Sequence, residues 1–271
     1  KNVIGGRFYT YVLDLLDPEL RGEAEEYLER KVAREQVMVL GKDSALTIDL
    51  EDFEAGSNPR PEDSYTVLRA GFDEWFAGKA EEEGVMIAAG IRVDDLLIED
   101  GRVAGVMAGG DAMYADMVIA ADGVNSFIAR RAGLRPELTP DIIGVGVKEI
   151  IELPAKTIEE RFQVSEGMGA ARVILGCSDG LTGGGFLYTN KTSVSLGMVF
   201  GPEKLSDHKM SIRDIYQEFK MHPSIQKLLG DGTSVEYGAH LVPEGGWNGS
   251  VPTKLYREGL LVIGDAAGCV I

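Results

Sequence analysis

The feature that most constrains this chain occurs twice: an apolar run that ends abruptly in an acidic, glycine-bearing turn. Near the last residue, Leu260, Leu261, Val262 and Ile263 run into Gly264, Asp265, Ala266, Ala267 and Gly268. Four consecutive aliphatics predict a strand covered on both faces. Gly264 and Gly268 permit a sharp turn and the close approach of another group. Asp265 is placed to cap a following helix, whose positive end favours phosphate or electron-rich groups. Earlier, Val118, Ile119, Ala120 and Ala121 run into Asp122 and Gly123. Either stretch alone also reads as a buried strand followed by a small-residue turn. Two of them predict loops that converge on one ligand at the carboxyl ends of neighbouring strands.

Composition narrows the partners. The 271 residues are 44% hydrophobic, enough for one large domain or two modest ones. A net charge of −17 makes nucleic acid and anionic membrane surfaces poor partners for the isolated chain. No apolar run approaches the roughly 20 residues that span a bilayer. Cys177 and Cys269 form no CxxC pair, which predicts a reducing compartment and no iron–sulfur cluster held by this chain alone. His208, His222 and His240 are scattered without metal-ligand spacing. No nucleophile–base pair is recognisable, which argues against a hydrolase.

The remaining texture predicts elements in order. Tyr11, Val12, Leu15 and Leu16 suggest a short helix, and Glu19 to Arg34 a charged, solvated one. Gln36–Leu40 and Ala45–Leu50 read as strands about a turn at Gly41–Ser44, followed by an acidic loop to Asp63. Leu68, Phe72, Trp75, Phe76 and Ala80 make one apolar helical stripe that stops at Gly84. Val85–Ile87 begins a strand, and strands around 94–99 and 103–108 hinge at Asp100-Gly101. Beyond Leu138 the texture shifts to long strands over 142–151 and 184–200, with helices over 158–164 and 210–229 that Pro223 interrupts.

The stretches VIAADGVNS and LLVIGDAAG resemble the second and third FAD fingerprints of a flavoprotein family. That family includes aromatic hydroxylases, geranylgeranyl reductases and electron-transfer flavoprotein:quinone oxidoreductases. KNVIGGRFY, SYTVLRAGFDEWFAGKAEEEGV and YGAHLVPEGGW narrow the resemblance to the FixC branch, which supplies electrons to nitrogen fixation or related pathways. The family's first fingerprint, a strand followed by GxGxxG, is absent, so the resemblance predicts a fragment of a longer flavoprotein. Such a fragment is expected to bind FAD weakly, at high-micromolar strength or worse.

The resemblance implies an α/β (mixed α+β) fold: a truncated FAD/NAD(P)-binding lobe and a substrate lobe with a large, mostly antiparallel sheet. The first would hold residues 1–30, 60–137 and 257–271, the second 31–59 and 138–256. FAD is the implied cofactor. Asp265 would hold the ribitol chain, with the amides of Ala266, Ala267 and Gly268 facing the pyrophosphate or the flavin edge and Gly264 opening the turn. Asp122 and Gly123 would lie against the dinucleotide from the opposite side, and Arg69 would reach the pyrophosphate. Gly5 and Gly6 would pass close to the isoalloxazine, with Gly245-Gly246-Trp247 a second candidate for ring approach. No catalytic residue is identified. The implied activity carries electrons from a donor such as electron-transfer flavoprotein through FAD to a quinone or a ferredoxin-like acceptor, with a quinone or other hydrophobic small molecule among the implied partners. The implied location is cytoplasmic, with any membrane association residing in segments outside this chain. The alternatives are a geranylgeranyl-reductase-like isoprenoid reductase and a cofactor-free, non-catalytic fragment.

Overall fold

The structure is a computed structural model that describes residues 5–55, 60, 63–244 and 254–269, apart from the side chains of 206 and 207. Strand β1 (Arg7–Tyr9) leads through α1 (Tyr11–Asp14) and α2 (Pro18–Ala24) to the long β2 (Leu28–Leu40). Then come β3 (Ala45–Glu51), β4 (Ser64–Val67) and α3 (Arg69–Glu82). A meander of β5 (Val93–Glu99), β6 (Arg102–Ala108) and β7 (Asp111–Tyr114) precedes β8 (Val118–Ala120) and α4 (Phe127–Arg131). Next are β9 (Ile143–Glu152), α5 (Ala155–Phe162), β10 (Met168–Leu175), β11 (Gly183–Thr189) and β12 (Ser193–Phe200). The chain closes with α6 (Ile212–Met221), α7 (Pro223–Leu229), β13 (Thr233–Pro243), β14 (Tyr256–Arg257) and β15 (Leu260–Val262).

Nine strands form one sheet in the order β1-β4-β2-β10-β11-β12-β9-β13, with β3 attached to β2. The β2–β10 pair is parallel, whereas β1–β4, β2–β4, β2–β3, β10–β11 and β11–β12 are antiparallel. This is the large, mostly antiparallel sheet expected, and the 36–50 hairpin joins it. Two smaller sheets of three strands are β5-β6-β7 and β14-β15-β8. By compactness the chain divides into Lys1–Val85, Gly146–Phe200 and Asp207–His240 on one hand, and Met86–Val145, Gly201–Ser206 and Leu241–Ile271 on the other. Sequence texture instead groups residues 1–30 and 60–85 with the meander. In the structure β1 and β4 hydrogen-bond into the large sheet through pairs such as Arg7↔Thr66 and Lys31↔Tyr65, and α3 follows them.

Local chemistry accounts for most boundaries. Asp17 caps α2 by accepting the Glu19 amide, with Pro18 at the first helical position. Ser211 and Asp214 form a reciprocal capping box on α6. Asp100 and Gly101 both take positive φ at the β5–β6 turn, the geometry a two-residue hairpin requires. On α3, Phe72 and Trp75 are buried and pack with Leu13, Ala24, Leu28 and Val67.

Three expectations are corrected. The helix expected over Glu19–Arg34 stops at Ala24, and residues from Leu28 belong to β2. The charges there looked solvated, yet Arg30 and Lys31 are buried. Val85–Ile87 forms no strand, and the third meander strand is instead β7, paired to β6 from Gly105↔Tyr114 to Ala108↔Asp111. The last apolar run is not covered on both faces. Leu260 and Val262 are buried while Leu261 and Ile263 are exposed, the alternation of a half-buried strand. A short 3₁₀ turn, Gly264–Ala267, follows it, and Asp265 makes no capping bond.

Arg30 ties β2 to its surroundings. Only 3% exposed, it donates from Nε to the Asn190 carbonyl at 2.7 Å and from Nη1 to Glu159 at 2.9 Å and the Met168 carbonyl at 3.0 Å. Its Nη2 donates to the Lys191 carbonyl at 3.0 Å. Arg30→Met would take the donor from three carbonyls, that of Asn190 buried, and from the Glu159 carboxylate. We expect a loss of about 3 kcal/mol in urea unfolding. Arg92→Met, which removes an exposed pair with Asp94, should change stability by less than about 0.5 kcal/mol.

Candidate functional site

In the smaller unit, β8 and β15 are parallel neighbours in the register Leu260↔Val118, Leu261↔Ile119, Val262↔Ala120. Both acidic turns therefore leave the sheet at the same, carboxyl edge. Asp122 is exposed, and its Oδ2 accepts the Ile128 amide at 3.0 Å, so it fastens the start of α4. Gly123 and Gly264 have positive φ, and a Cβ at either would meet nothing within 4 Å. That leaves the space over both turns open. The second turn is closed by amides of Ala267, Gly268 and Cys269 donating to Ile263, Asp265 and Gly264 carbonyls. Two of the amides expected to face a ligand, those of Ala267 and Gly268, thus make bonds inside the turn. The Asp265 side chain is exposed, whereas Ala266, Ala267 and Gly268 are buried.

Sequence reasoning missed Arg135. It is 4% exposed, and its Nη1 donates to the Asp265 carbonyl at 3.0 Å and the Ala266 carbonyl at 2.8 Å. Burial lowers its pKa, while the Asp122 and Asp265 carboxylates push the other way. A lone arginine before a proline carries no periodic or spacing signal that could have found it.

In the larger unit, Gly5, Gly6 and Arg69 come together around a residue that was also missed, Lys148 on β9. Its Nζ donates to the Gly5 carbonyl at 2.7 Å. A Cβ on Gly6 would lie 2.8 Å from Tyr188 Cδ2 and 3.6 Å from Lys148 Nζ, so only glycine fits there. Arg69 is the first residue of α3, and its Nε and Nη2 bind the Asp73 carboxylate at 2.8 and 3.0 Å. Its Nη1 lies 3.5 Å from where a Gly5 Cβ would stand. Lys148 is 2% exposed, and burial lowers its amine to about 8, with Glu236 raising it and Arg69 lowering it further.

An apolar face approaches the same corner. Directly opposed residues share a face of a sheet. The register aligns Ile48, Val37, Val173 and Phe186 across β3, β2, β10 and β11, and Leu46, Val39 and Leu175 beside them. Leu46, Ile48 and Leu50 are each about two-thirds exposed, and Val37, Val39, Val173 and Leu175 are exposed too. Phe186 stacks on Tyr188 at 5.2 Å, and Tyr188 borders Gly6.

Other candidates have structural roles or fall elsewhere. His208 Nε2 meets the Asp179 carbonyl at 3.1 Å, and His222 Nε2 meets the Gly41 carbonyl at 2.9 Å. His240 is exposed on β13. Gly245-Gly246-Trp247 lie outside the described residues. No group of three metal-binding side chains occurs among the described residues, nor any helix long and apolar enough to cross a membrane.

The lysine makes a testable pH signature. Its folded value, about 8, lies below the ordinary 10.5. The buried ammonium therefore weakens the fold fully below pH 8. That penalty fades as pH rises toward 10.5, because the folded chain releases the proton first. The stability of the protein relative to Lys148→Met should rise over that window by up to about 3 kcal/mol. Urea unfolding of both at a series of pH values measures it, and a flat difference would contradict a depressed amine.

A family model described as ETF-QO, ubiquinone-binding, matches residues 143–242, from β9 into β13. Protein FixC of Salmonella typhi is 44% identical over 269 residues, covering 99% of this chain and 61% of that protein. The probable electron transfer flavoprotein-quinone oxidoreductase YdiS of Escherichia coli K12 matches at the same identity and coverage. Among solved structures, a geranylgeranyl bacteriochlorophyll reductase-like protein of Thermoplasma acidophilum superposes with a TM-score of 0.68 at 20% identity. That match covers 90% of this chain and 56% of the other, and it shows a shared fold. The chain thus spans 61% of the length of the curated relatives it matches. By sequence, these 271 residues are similar to the FixC-type proteins and to a probable quinone oxidoreductase.

Proposed function

We propose that this chain is part of an FAD-dependent oxidoreductase that passes electrons from a donor such as electron-transfer flavoprotein to a quinone. The observation that carries the reading is the exposed aliphatic face that leads through Phe186 and Tyr188 to Gly6 and the buried Lys148. A polyisoprenoid tail needs apolar contact along its length, and its polar head needs a donor at one end. The face supplies the first and the Lys148 corner the second. The name of YdiS, a probable electron transfer flavoprotein-quinone oxidoreductase, and the ubiquinone-binding description over residues 143–242 point the same way.

The residues present fit a flavin dinucleotide. Two acidic turns leave the carboxyl edge of parallel neighbours, where open α/β sheets bind ligands, and Gly123 and Gly264 leave that edge clear. Asp265 would bond the ribitol hydroxyls, and Asp122 and Gly123 would line the dinucleotide. In the larger unit, taken by itself, the Gly5-Gly6 turn with Arg69 beside it would suit a flat ring. The flavin, when bound, supplies the reversible redox chemistry. Lys148 holds the Gly5 carbonyl and with it the glycine turn, and its charge favours an electron-rich partner.

Two measurements test this in the flavin-loaded protein at the length of its relatives. Asp265→Ala should lose bound flavin, whereas Asp111→Ala, on exposed β7, should retain it. Equal retention would remove Asp265 from the site. Ile48→Asp should raise KM for a long-tailed quinone by about tenfold, the effect of losing roughly 1.4 kcal/mol of contact, and leave a tailless quinone unaffected. An equal effect on both quinones would sink the apolar-face assignment. The same face would suit a prenyl chain, so reduction of isoprenoid double bonds by the loaded protein would favour the reductase reading instead.

A further inference from the structure

The smaller unit holds a second cluster of charge that the redox reading does not use. We propose that the recess lined by Phe127, Arg130, Arg131, Arg135 and Glu137 is an oxyanion site that takes a phosphate or diphosphate group.

The recess, lined by α4 and the segment after it, has a volume of about 400 Å³, within the range of small-ligand sites. Nε and Nη2 of Arg135 and Nε of Arg130 are buried and have no hydrogen-bond partner among the described residues. Buried charged donors left unmatched are costly, and folded proteins rarely keep them. Arg135 is held in place by its Nη1 bonds to the Asp265 and Ala266 carbonyls, so it cannot swing out to water. Arg130 lies over the Phe127 ring at 4.9 Å and repels Arg135 electrostatically.

Among the described residues no carboxylate bonds to Arg135. Asp122 and Asp265 act on it only through space. Arg131 is already paired with Asp95 at 2.8 Å, and both are half exposed. Glu137 is the one acidic residue lining the recess. Two guanidinium groups with three unpartnered donors match the several oxygens of a tetrahedral phosphate better than the two of a carboxylate. The ligand could be free phosphate or the diphosphate of a dinucleotide, and the two are separable.

The test is titration calorimetry of inorganic pyrophosphate into the flavin-free protein at the length of its relatives. Saturable one-site binding is expected. Arg130→Met, which leaves the Asp265–Ala266 turn untouched, should weaken it about tenfold, in line with losing a charge-assisted bond. Arg135→Lys should weaken it further, and Glu137→Gln should tighten it. Unfolding midpoints of the variants check that each is folded. Displacement of pyrophosphate by FAD would assign the site to the cofactor's diphosphate, and undisturbed binding would assign it to a separate phosphate ligand. No saturable binding, or binding that Arg130→Met leaves unchanged, would overturn the site. Because no electron transfer is measured, either outcome is independent of the oxidoreductase reading.

Discussion

The larger unit depends on the hydrogen bonding along β2. Thirteen residues long, it pairs with β10 on one side. On the other side β4 takes its first part and β3 its second. One strand thus joins a hairpin, the segment that carries β1 and α3, and the β10–β13 side of the sheet. A parallel partner at β10 requires a long excursion between the two strands, and β4, α3 and the Met86–Val145 segment of the smaller unit lie within it. Shifting β2 by one residue would exchange Met38 and Leu40, which are buried, with Val37 and Val39 on the open face. The sheet's two faces are therefore fixed by one register.

Two buried arginines show how differently the same side chain can be used. Arg30 sits where the β2–β10 register shifts at Gly169, and a Cβ on that glycine would approach within 2.8 Å of Arg30 Cβ. Every one of its nitrogens has an acceptor. It behaves as part of the scaffold. Arg135 has one nitrogen engaged and two idle. Satisfied buried charges fix structure, whereas unsatisfied ones call for an explanation outside the fold.

Much of this architecture was legible in the residues. The Asp100-Gly101 hairpin, the Phe72–Trp75 stripe and the break at Pro223 are local signals, and each produced the element it announced. The pairing of β8 with β15 was legible because the same apolar-then-acidic pattern occurred twice. What escaped was decided by distant partners. Arg30 and Lys31 look like solvated helix until Asn190, Glu159 and Asp63, all far along the chain, receive them. Lys148 sits in a strand buried on both faces, and its partners, the Gly5 carbonyl 143 residues away and the charge of Glu236, are both distant in the chain. Arg135 is visible only once the turn it grips exists. Local pattern names elements; long-range polar bonds select the residues that matter around them.

The outer edge of β3 has a consequence for the molecule in solution. Among the described residues β3 pairs only with β2, and it turns Leu46, Ile48 and Leu50 outward on one face. Its other face carries Asp49, and Arg34 grips both Asp49 and Glu51. Charge is thus what separates this strand from a sticky sheet edge. Ionic strength acts on both faces in the same direction, since salt screens the charges and kosmotropic ions strengthen apolar association. Raising it pushes β3 toward pairing with another apolar surface, and dilution of salt keeps the edge apart.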